Sequence, residues 1–356
     1  MTRSRARKLR LRVGMAAALL IALTGACGDD DGGGTAAATT TTAAKPSGSI
    51  TVYSGRNEAL VKPVLDMFTA DTGVAVQLRA GDSGALGAQL ITEGDATPAD
   101  VFFSQDAGAL GAVSKAGLLK KLPAVTTDKV ASAYRATNRT WVGISGRVRV
   151  VIYNPSLAPT PPSSIDDVVD PKWKGKIGFA PTNASWQSFV TAMRVERGED
   201  GAKAWLEKFK ANEPKTFAGN GPVRDAVNDG QVALGLVNHY YLYEKIAKEG
   251  ADKVTAKNQY LTDGDEGGLV NVAGVGVLTK TKNPTAAAAL VDYLLGDKAQ
   301  RYFAEKTFEY PLIEGVKPSV DVPTLASLKP PAIDLSDLAS IETTQALLRE
   351  VGLLTA

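Results

Sequence analysis

Short apolar runs alternate with stretches of helical periodicity through the first third of the chain. The run at 50–53 predicts a strand, and the apolar residues of 61–68 then recur at helical spacing before Gly73. Pro63 falls in the first turn of that helix, where proline is tolerated. The same alternation predicts a strand at 74–78, a helix capped by Ser83 and ending at Gly94, a strand at 100–104, and a helix ending at Gly117. This order predicts a βαβαβ unit of a doubly wound sheet.

The second half repeats the alternation after one unusual segment. Residues 147–153 alternate, with Val148, Val150 and Ile152 on one face and Arg147 and Arg149 on the other. We expect this strand to run from one lobe into another. A second α/β set is predicted from strands at 176–180 and 232–237 and helices from Trp186, Asp200, Gly221 and about Asn238. Residues 269–278 are predicted to form two strands, or one bent strand, returning to the first lobe, and helices follow at 286–295 and 338–351. The predicted fold class is therefore α/β, with two lobes and a ligand cleft between them.

The N-terminal 26 residues have the pattern of an export signal. Six basic residues and no acidic ones precede an apolar run at 15–23, which is too short to span a bilayer. Cys27, the only cysteine, follows small residues in a way that resembles a bacterial lipobox, although Thr24 stands where an apolar residue is usual. We expect Cys27 to be lipidated and to become the new N-terminus. Ordinary cleavage nearby, with Cys27 as an incidental thiol, is the alternative.

Removal of this signal changes the charge balance. The chain has 40 basic and 38 acidic side chains, so losing the six basic residues of the signal leaves 34 basic against 38 acidic. The mature protein is slightly acidic, and we expect no nucleic-acid binding. Residues 27–48 carry almost no large apolar side chain and are predicted to be a flexible tether. We expect one lobe from 49–148 with 274–321, and the other from 149–273 with 322–356.

Tyr240 and Tyr241 are adjacent and follow Asn238 and His239. A phenol titrates near pH ~10, but a trivalent metal displaces its proton and holds the phenolate. Two neighbouring phenolates suit ferric iron better than zinc or copper, which favour imidazole and thiolate ligands. The alternative is that these tyrosines pack with their hydroxyls at a surface, as most tyrosines do.

Several segments resemble bacterial ferric-binding proteins, the extracytoplasmic receptors of iron(III) ABC importers. The resemblance covers essentially the whole predicted folded part, in order, and is carried by TVYSGRNEAL at 51–60, AGDSGALGAQLITEGDATPADVFFSQD at 80–106, SGRVRVVIYN at 145–154, PKWKGKIGFAPT at 171–182, NHYYL at 238–242, GGLVNVAGVGVL at 267–278 and EYPL at 309–312. It implies a type II periplasmic-binding-protein fold, and iron binding by the pair matching Tyr240 and Tyr241.

Other ligands of that family are absent here. A histidine of one subgroup is replaced by Asn57 and its glutamate by Gln105, and the third tyrosine of another subgroup falls close to Ser185. Asn57 and Gln105 are candidate neutral ligands, and Asn57 is equally a candidate helix cap. The adjacent carboxylates Glu58 and Asp106 are possible substitutes, or else charges at helix starts.

The charge count indicates a co-bound anion. Ferric iron held by two phenolates keeps one positive charge and has open coordination positions, which carbonate, phosphate or citrate would fill. The resemblance places such an anion against Asn183, Ala184, Ser185, Asn220 and Asn238, residues that lie near predicted helix starts. For Asn238, a plain N-cap role is the alternative.

Three further polar residues lie near these positions. Arg147 and Arg149 would add positive potential to the cleft, but such arginines more often form structural ion pairs, which is the interpretation we favour. His239 is the only histidine. Because adjacent helical residues diverge by about 100°, we do not expect it to share one ion with both tyrosines.

The sequence carries no motif of an enzyme, since it lacks GxSxG, Walker and HExxH patterns. We therefore expect a lipid-anchored, monomeric solute-binding protein on the extracytoplasmic face of the membrane, which captures iron(III) and delivers it to an ABC permease. One alternative is the same scaffold holding an organic anion or a ferric chelate. Another is a sensor or accessory lipoprotein.

Overall fold

The computed structural model describes residues 45–355. The predicted signal, Cys27 and most of the predicted tether lie outside the described residues. The strands are β1 (Ser49–Ser54), β2 (Ala75–Ala80), β3 (Val101–Ser104), β4 (Val142–Tyr153), β5 (Ile177–Phe179), β6 (Lys215–Thr216), β7 (Leu234–Asn238), β8 (Lys257–Gln259), β9 (Val270–Val277) and β10 (Tyr310–Pro311). The helices are α1 (Glu58–Thr72), α2 (Ser83–Glu93), α3 (Ala107–Lys115), α4 (Ala124–Thr127), α5 (Ala184–Ala211), α6 (Asn220–Asn228), α7 (Tyr240–Glu249), α8 (Pro284–Leu294), α9 (Asp297–Lys306), α10 (Leu325–Leu328) and α11 (Ile341–Glu350).

The strands join into a continuous hydrogen-bonded order, β2-β1-β3-β9-β4-β7-β5-β6. In the first lobe β1 pairs in parallel with β2 and β3, and β9 runs antiparallel to β3. The first part of β4 pairs with β9, and its second part pairs with β7 of the second lobe. β4 is thus the predicted crossing strand, and it begins five residues before the predicted start. This is the α/β two-lobe, type II fold that the sequence predicts.

The two lobes have separate apolar cores. The first lobe packs β1, β3 and β9 against α1, α3 and α8, with Val52, Phe102 and Val275 fully buried. In the second lobe Trp186, Trp205 and their aromatic neighbours fill the space beneath β5 and β7. Trp205 stacks on Phe209 with ring centroids 5.2 Å apart.

The C-terminal segment contributes to both cores. Leu335 and Leu338 pack in the first-lobe core, whereas Leu347 and Leu348 pack in the second. The C-terminal segment lies so close to α3 that position 108 must be glycine, because a Cβ at Gly108 would lie 2.5 Å from the Leu338 carbonyl oxygen. The lobe boundaries given above stay a prediction.

Two local expectations differ from the structure. Asp82, and not Ser83, caps α2 by accepting hydrogen bonds from the amides of Gly84 and Ala85. The helices predicted separately from Trp186 and Asp200 form one segment, α5, interrupted at Gly198, whose φ of 73° breaks the helical path. Within residues 45–355, no helix is both long enough and apolar enough to cross a membrane.

Candidate metal centre

The turn from β7 into α7 places the tyrosine pair. Arg149 of β4 lies opposite Asn238, the last residue of β7, and α7 begins two residues later at Tyr240. The rings of Tyr240 and Tyr241 stack with centroids 4.3 Å apart and planes 27° apart. Tyr240 is 2% exposed, and Tyr241 is half-buried. The structure therefore holds two phenols side by side at the start of a helix.

Burial controls the protonation of both phenols. It raises the pKa of Tyr240 well above 10, and the neighbouring Tyr241 adds to this effect while Arg147 opposes it. Burial also raises the pKa of Tyr241, against lowering by Tyr240 and Arg147. Both are neutral phenols near neutral pH, so only a strongly charged cation gains enough from the phenolates to displace their protons.

His239 supports the backbone and does not face the same point as the tyrosines. Its Nδ1 accepts a hydrogen bond from the Val148 amide at 3.2 Å, and its Nε2 lies 3.0 Å from the Phe308 carbonyl oxygen. Both ring nitrogens are therefore used, with the proton on Nε2. Burial lowers the pKa of His239 to about 4, which keeps the ring neutral.

A buried ion pair lies across the cleft from the tyrosines. The Arg56 guanidinium donates two hydrogen bonds to the Glu309 carboxylate, at 2.8 and 3.0 Å, and the Ser145 hydroxyl donates a third at 2.6 Å. Although burial acts in the opposite direction, Arg56 and Arg147 hold the pKa of Glu309 below its usual value. The electrostatic influence of both tyrosines extends to Arg56, so this pair borders the candidate centre.

Arg147 and Arg149 do not form the structural ion pairs that we expected. Among residues 45–355, neither has a carboxylate within ion-pair distance: Arg147 donates to the carbonyl of Gln105, and Arg149 donates to the Ser185 hydroxyl at 3.2 Å. Both guanidinium groups are buried, and Nε and Nη1 of Arg147 and Nη2 of Arg149 have no hydrogen-bond partner. Burial lowers the pKa of Arg149 to about 9. The expectation was wrong because the groups that these side chains contact by hydrogen bonds are neutral: a backbone carbonyl for Arg147 and a hydroxyl for Arg149.

Three of the predicted anion-binding residues converge at the start of α5. The Asn183 side chain caps α5 and accepts from the amide and the hydroxyl of Ser185, at 3.0 and 2.7 Å. The Asn220 amide donates to the Ser185 hydroxyl at 3.1 Å and to the Asn183 side chain at 3.3 Å. Ala184 is the first residue of α5. Asn238 is buried in β7 and does not occupy the N-cap of α7, so the N-cap alternative is wrong.

The candidate ligands of the first lobe lie in different settings. Asn57 is exposed and caps α1 through a 2.9 Å bond from the Ala59 amide, as the alternative predicted. The backbone N–H of Gln105 donates to the Ser83 hydroxyl at 2.8 Å. Asp106 caps α3 through the Ala109 amide at 3.2 Å, and Glu58 is an exposed acid in the first turn of α1.

Three charged residues at this centre were missed from the sequence. Arg56 and Glu309 lie within segments that carry the family resemblance, but their pairing across 253 positions has no local signal. Glu244 follows the tyrosine pair by three and four positions, and helical spacing alone would have placed it on their face. Among the described residues, no three His, Cys, Asp or Glu side chains cluster in a way that could hold a metal.

The fold and this centre define a two-lobe extracellular solute-binding protein. The family model of bacterial extracellular solute-binding proteins matches residues 96–339, and the chain belongs to that family. It is 36% identical over 314 residues to an Fe(3+)-binding periplasmic protein of Serratia marcescens, covering 87% of this chain and 92% of that one. The major ferric iron-binding protein of Neisseria meningitidis serogroup B is 32% identical over 350 residues, covering 97% and 99%.

Solved structures agree with these relatives. Iron-bound HitA from Pseudomonas aeruginosa superposes with a TM-score of 0.80 at 32% identity, covering 85% of this chain and 99% of that one. A Trichodesmium protein in complex with iron and citrate ligands gives 0.75 at 29% identity, covering 85% and 99%. The resemblance to ferric-binding proteins that the sequence indicated is thus confirmed.

Proposed function

We propose that this protein captures ferric iron outside the cytoplasm and delivers it to an ABC importer, with Tyr240 and Tyr241 as the phenolate ligands. The observation that carries the proposal is the stacked pair at the start of α7, with ring centroids 4.3 Å apart. Relatives over nearly the full chain length are named for binding ferric iron. Phenolate oxygens are hard, anionic donors, and they match a small trivalent ion.

A co-bound anion completes the charge and the coordination. Arg149 supplies an unpartnered buried N–H, and Asn183, Ser185 and Asn220 supply polar groups beside the first turn of α5. A buried guanidinium without a carboxylate partner is costly, and an incoming anion relieves that cost. Carbonate, phosphate and citrate all have the required charge. The similar Trichodesmium protein is in complex with iron and citrate ligands, which supports a co-bound anion here.

Closure of the lobes brings the two sides of the centre together. The tyrosines and the α5 start belong to the second lobe, while Asn57 and Gln105 belong to the first. The crossing strands β4 and β9 connect the lobes near Arg149 and Val272. Small backbone rotations there would open the cleft for loading and close Asn57 and Gln105 over the bound ion. A closed complex is then the form that the permease recognises.

Anchoring through a lipidated Cys27, followed by the tether up to residue 48, would hold the monomer beside its permease. The proposal rests on the lipobox-like position of Cys27. It is tested by detergent-phase partitioning of the full chain, with Cys27→Ser as the variant expected to leave that phase. Finding the parent chain free in the medium would contradict the proposal of a lipid anchor.

The decisive test of the function is a visible titration. The purified protein, stripped of iron and equilibrated with carbonate, is titrated with ferric ion. One equivalent should produce a phenolate-to-iron charge-transfer band. A protein that binds ferric citrate but gives no such band would use the scaffold for the chelate, without phenolate ligation.

A further inference from the structure

Helix α7 carries a carboxylate on the same face as the tyrosine pair. Glu244 lies three positions after Tyr241 and four after Tyr240, and residues at these spacings are neighbours on a helix surface. Side chains of a helix lean toward its N-terminus, so the Glu244 carboxylate leans over the turn that holds the tyrosines. The side chain is 28% exposed.

The charges around Glu244 come from both lobes. The electrostatic influence of Glu244 extends to Tyr241, and the charges of Arg56 and Glu309 in the first lobe act on Glu244 in turn. Burial raises the pKa of Glu244 to about 7, and Arg224 acts in the opposite direction. The charged form of a carboxyl group in this environment is strongly stabilised when a cation binds beside it.

Glu244 is not committed to a structural role. Its nearest cation, Arg224, already donates to the Asp225 carboxylate at 3.0 and 3.1 Å and to the Tyr241 carbonyl at 3.1 Å. The Arg224 nitrogen lies 3.8 Å from the Glu244 carboxylate, beyond hydrogen-bonding distance. Both Glu244 oxygens thus keep their lone pairs for another partner.

The other carboxylates near the centre are engaged or distant. Glu309 is held by two bonds from Arg56 and one from Ser145. Asp106 caps α3, and Glu58 is an exposed acid at the start of α1. Of these acids in the described chain, Glu244 alone combines a position on the tyrosine face of α7 with uncommitted oxygens.

We propose that Glu244 is a third anionic ligand of the iron, supplied by the same helix as the two phenolates. This inference rests on the proposed function. It gives the second lobe three of the ligands before the lobes close, so an open protein can already retain the ion. The carboxylate ligand then comes from α7, the helix that carries both tyrosines, and not from the first-lobe position that Gln105 occupies.

The test compares Glu244→Gln with the parent and with Glu249→Gln. Glu249 lies on the same helix and is bonded to Lys245 at 2.9 Å, so its substitution removes an equal charge outside the centre. Ferric affinity is measured by citrate competition at fixed carbonate, together with the position of the charge-transfer band. Glu244→Gln should lower the affinity by at least the roughly 10- to 100-fold that loss of an outer-shell partner costs a metal site. It should also move the band to longer wavelength, because the iron receives less charge from its remaining ligands.

The outcomes separate the two proposals. A parent with the phenolate band and a Glu244→Gln variant with unchanged affinity and band would overturn the Glu244 assignment alone. Lower affinity with an unmoved band would overturn it also, since a remote charge lowers affinity without entering the coordination shell. A parent without any phenolate band would overturn the proposed function and this inference with it. If Glu244→Gln fails to fold, Glu244→Asp, which retains the carboxylate one methylene farther from the ion, should give an intermediate affinity loss.

Discussion

Arg56 and Glu309 form a two-bond ion pair at 2.8 and 3.0 Å, although 253 positions separate them in the chain. Their side chains are 1% and 0% exposed. The pair connects the loop after β1 to the residue before β10. A buried charge that loses its partner remains desolvated without compensation.

We therefore expect Glu309→Gln to destabilise the apo protein by about 3–5 kcal/mol, the range for breaking a buried ion pair. Urea unfolding followed by circular dichroism measures the change. Asp66→Asn is the control, because its pair with Lys62 lies on the surface of α1 and contributes little. A combined Arg56→Met and Glu309→Leu variant should recover much of the loss. Equal effects of Glu309→Gln and Asp66→Asn would contradict the assigned burial.

Removing one phenol should abolish or shift the iron colour while leaving the fold intact. Tyr240→Phe and Tyr241→Phe retain the stacked rings and lose only the oxygens, so their unfolding curves should stay close to that of the parent. The matched control is Tyr243→Phe, whose hydroxyl donates to the Asp321 carbonyl at 2.9 Å. The visible band should be lost or displaced in the first two variants and retained in the control. Parent-like iron binding by both pair variants would place the site elsewhere.

Ferric affinity should depend on an added anion. Carbonate, phosphate or citrate should tighten binding in an anion-depleted sample, because the anion fills open coordination positions and meets the Arg149 guanidinium. Arg149→Gln should weaken this response, as it removes the buried positive group beside Ser185. Gln105→Glu should also weaken it by supplying a competing carboxylate. Competition titrations with and without anion measure both effects, and tight anion-independent binding by the parent would argue against the co-bound anion.

His239 predicts how stability changes with acidity. In the folded apo protein its pKa is about 4, whereas its ordinary value is 6.5. The unfolded chain therefore binds a proton that the folded chain does not, and this contribution to stability is lost as pH falls from 6.5 toward 4. The loss is on the order of 3 kcal/mol for a shift of this size. Urea unfolding midpoints of the parent, measured across this pH range, should fall on acidification by less than the contribution of His239 alone would produce.

The raised pKa of Glu244 is the reason why the stability of the parent should fall less steeply with pH. Its pKa is raised to about 7 from 4.5, so the folded protein binds a proton there that the unfolded chain lacks. This contribution grows on acidification and opposes that of His239. Glu244→Gln should therefore show a steeper acid loss of stability than the parent, and His239→Gln a reversed or flattened one. Identical pH profiles for all three proteins would contradict the two pKa shifts.

Periodicity predicted the fold well where one physical signal dominates. Buried runs such as β3, and the α1 stop at Gly73 with its φ of 79°, need only local information. The segment α5 was predicted as two helices, from Trp186 and from Asp200, because a glycine break within one helical segment and a loop between two helices look alike in sequence. Asp82 replaced Ser83 as the α2 cap, since both side chains suit that position.

The candidate centre was less predictable in its charges than in its tyrosines. Tyr240 and Tyr241 are adjacent, so their proximity follows from the sequence. The environments of Arg147 and Arg149 depend on which groups the other lobe and α5 bring near them. The general tendency of such arginines to form ion pairs therefore predicted the wrong partners. Arg56 and Glu309 meet only through the tertiary fold.

The position of β9 between β3 and β4 also determines when the first lobe can form. Val101–Ser104 and Val142–Tyr153 are present early in synthesis, but the strand that joins them ends at residue 277. Until that strand emerges, the nascent chain presents two unpaired strand edges and an incomplete core. Folding of the first lobe is thus delayed until more than three quarters of the polypeptide has been made.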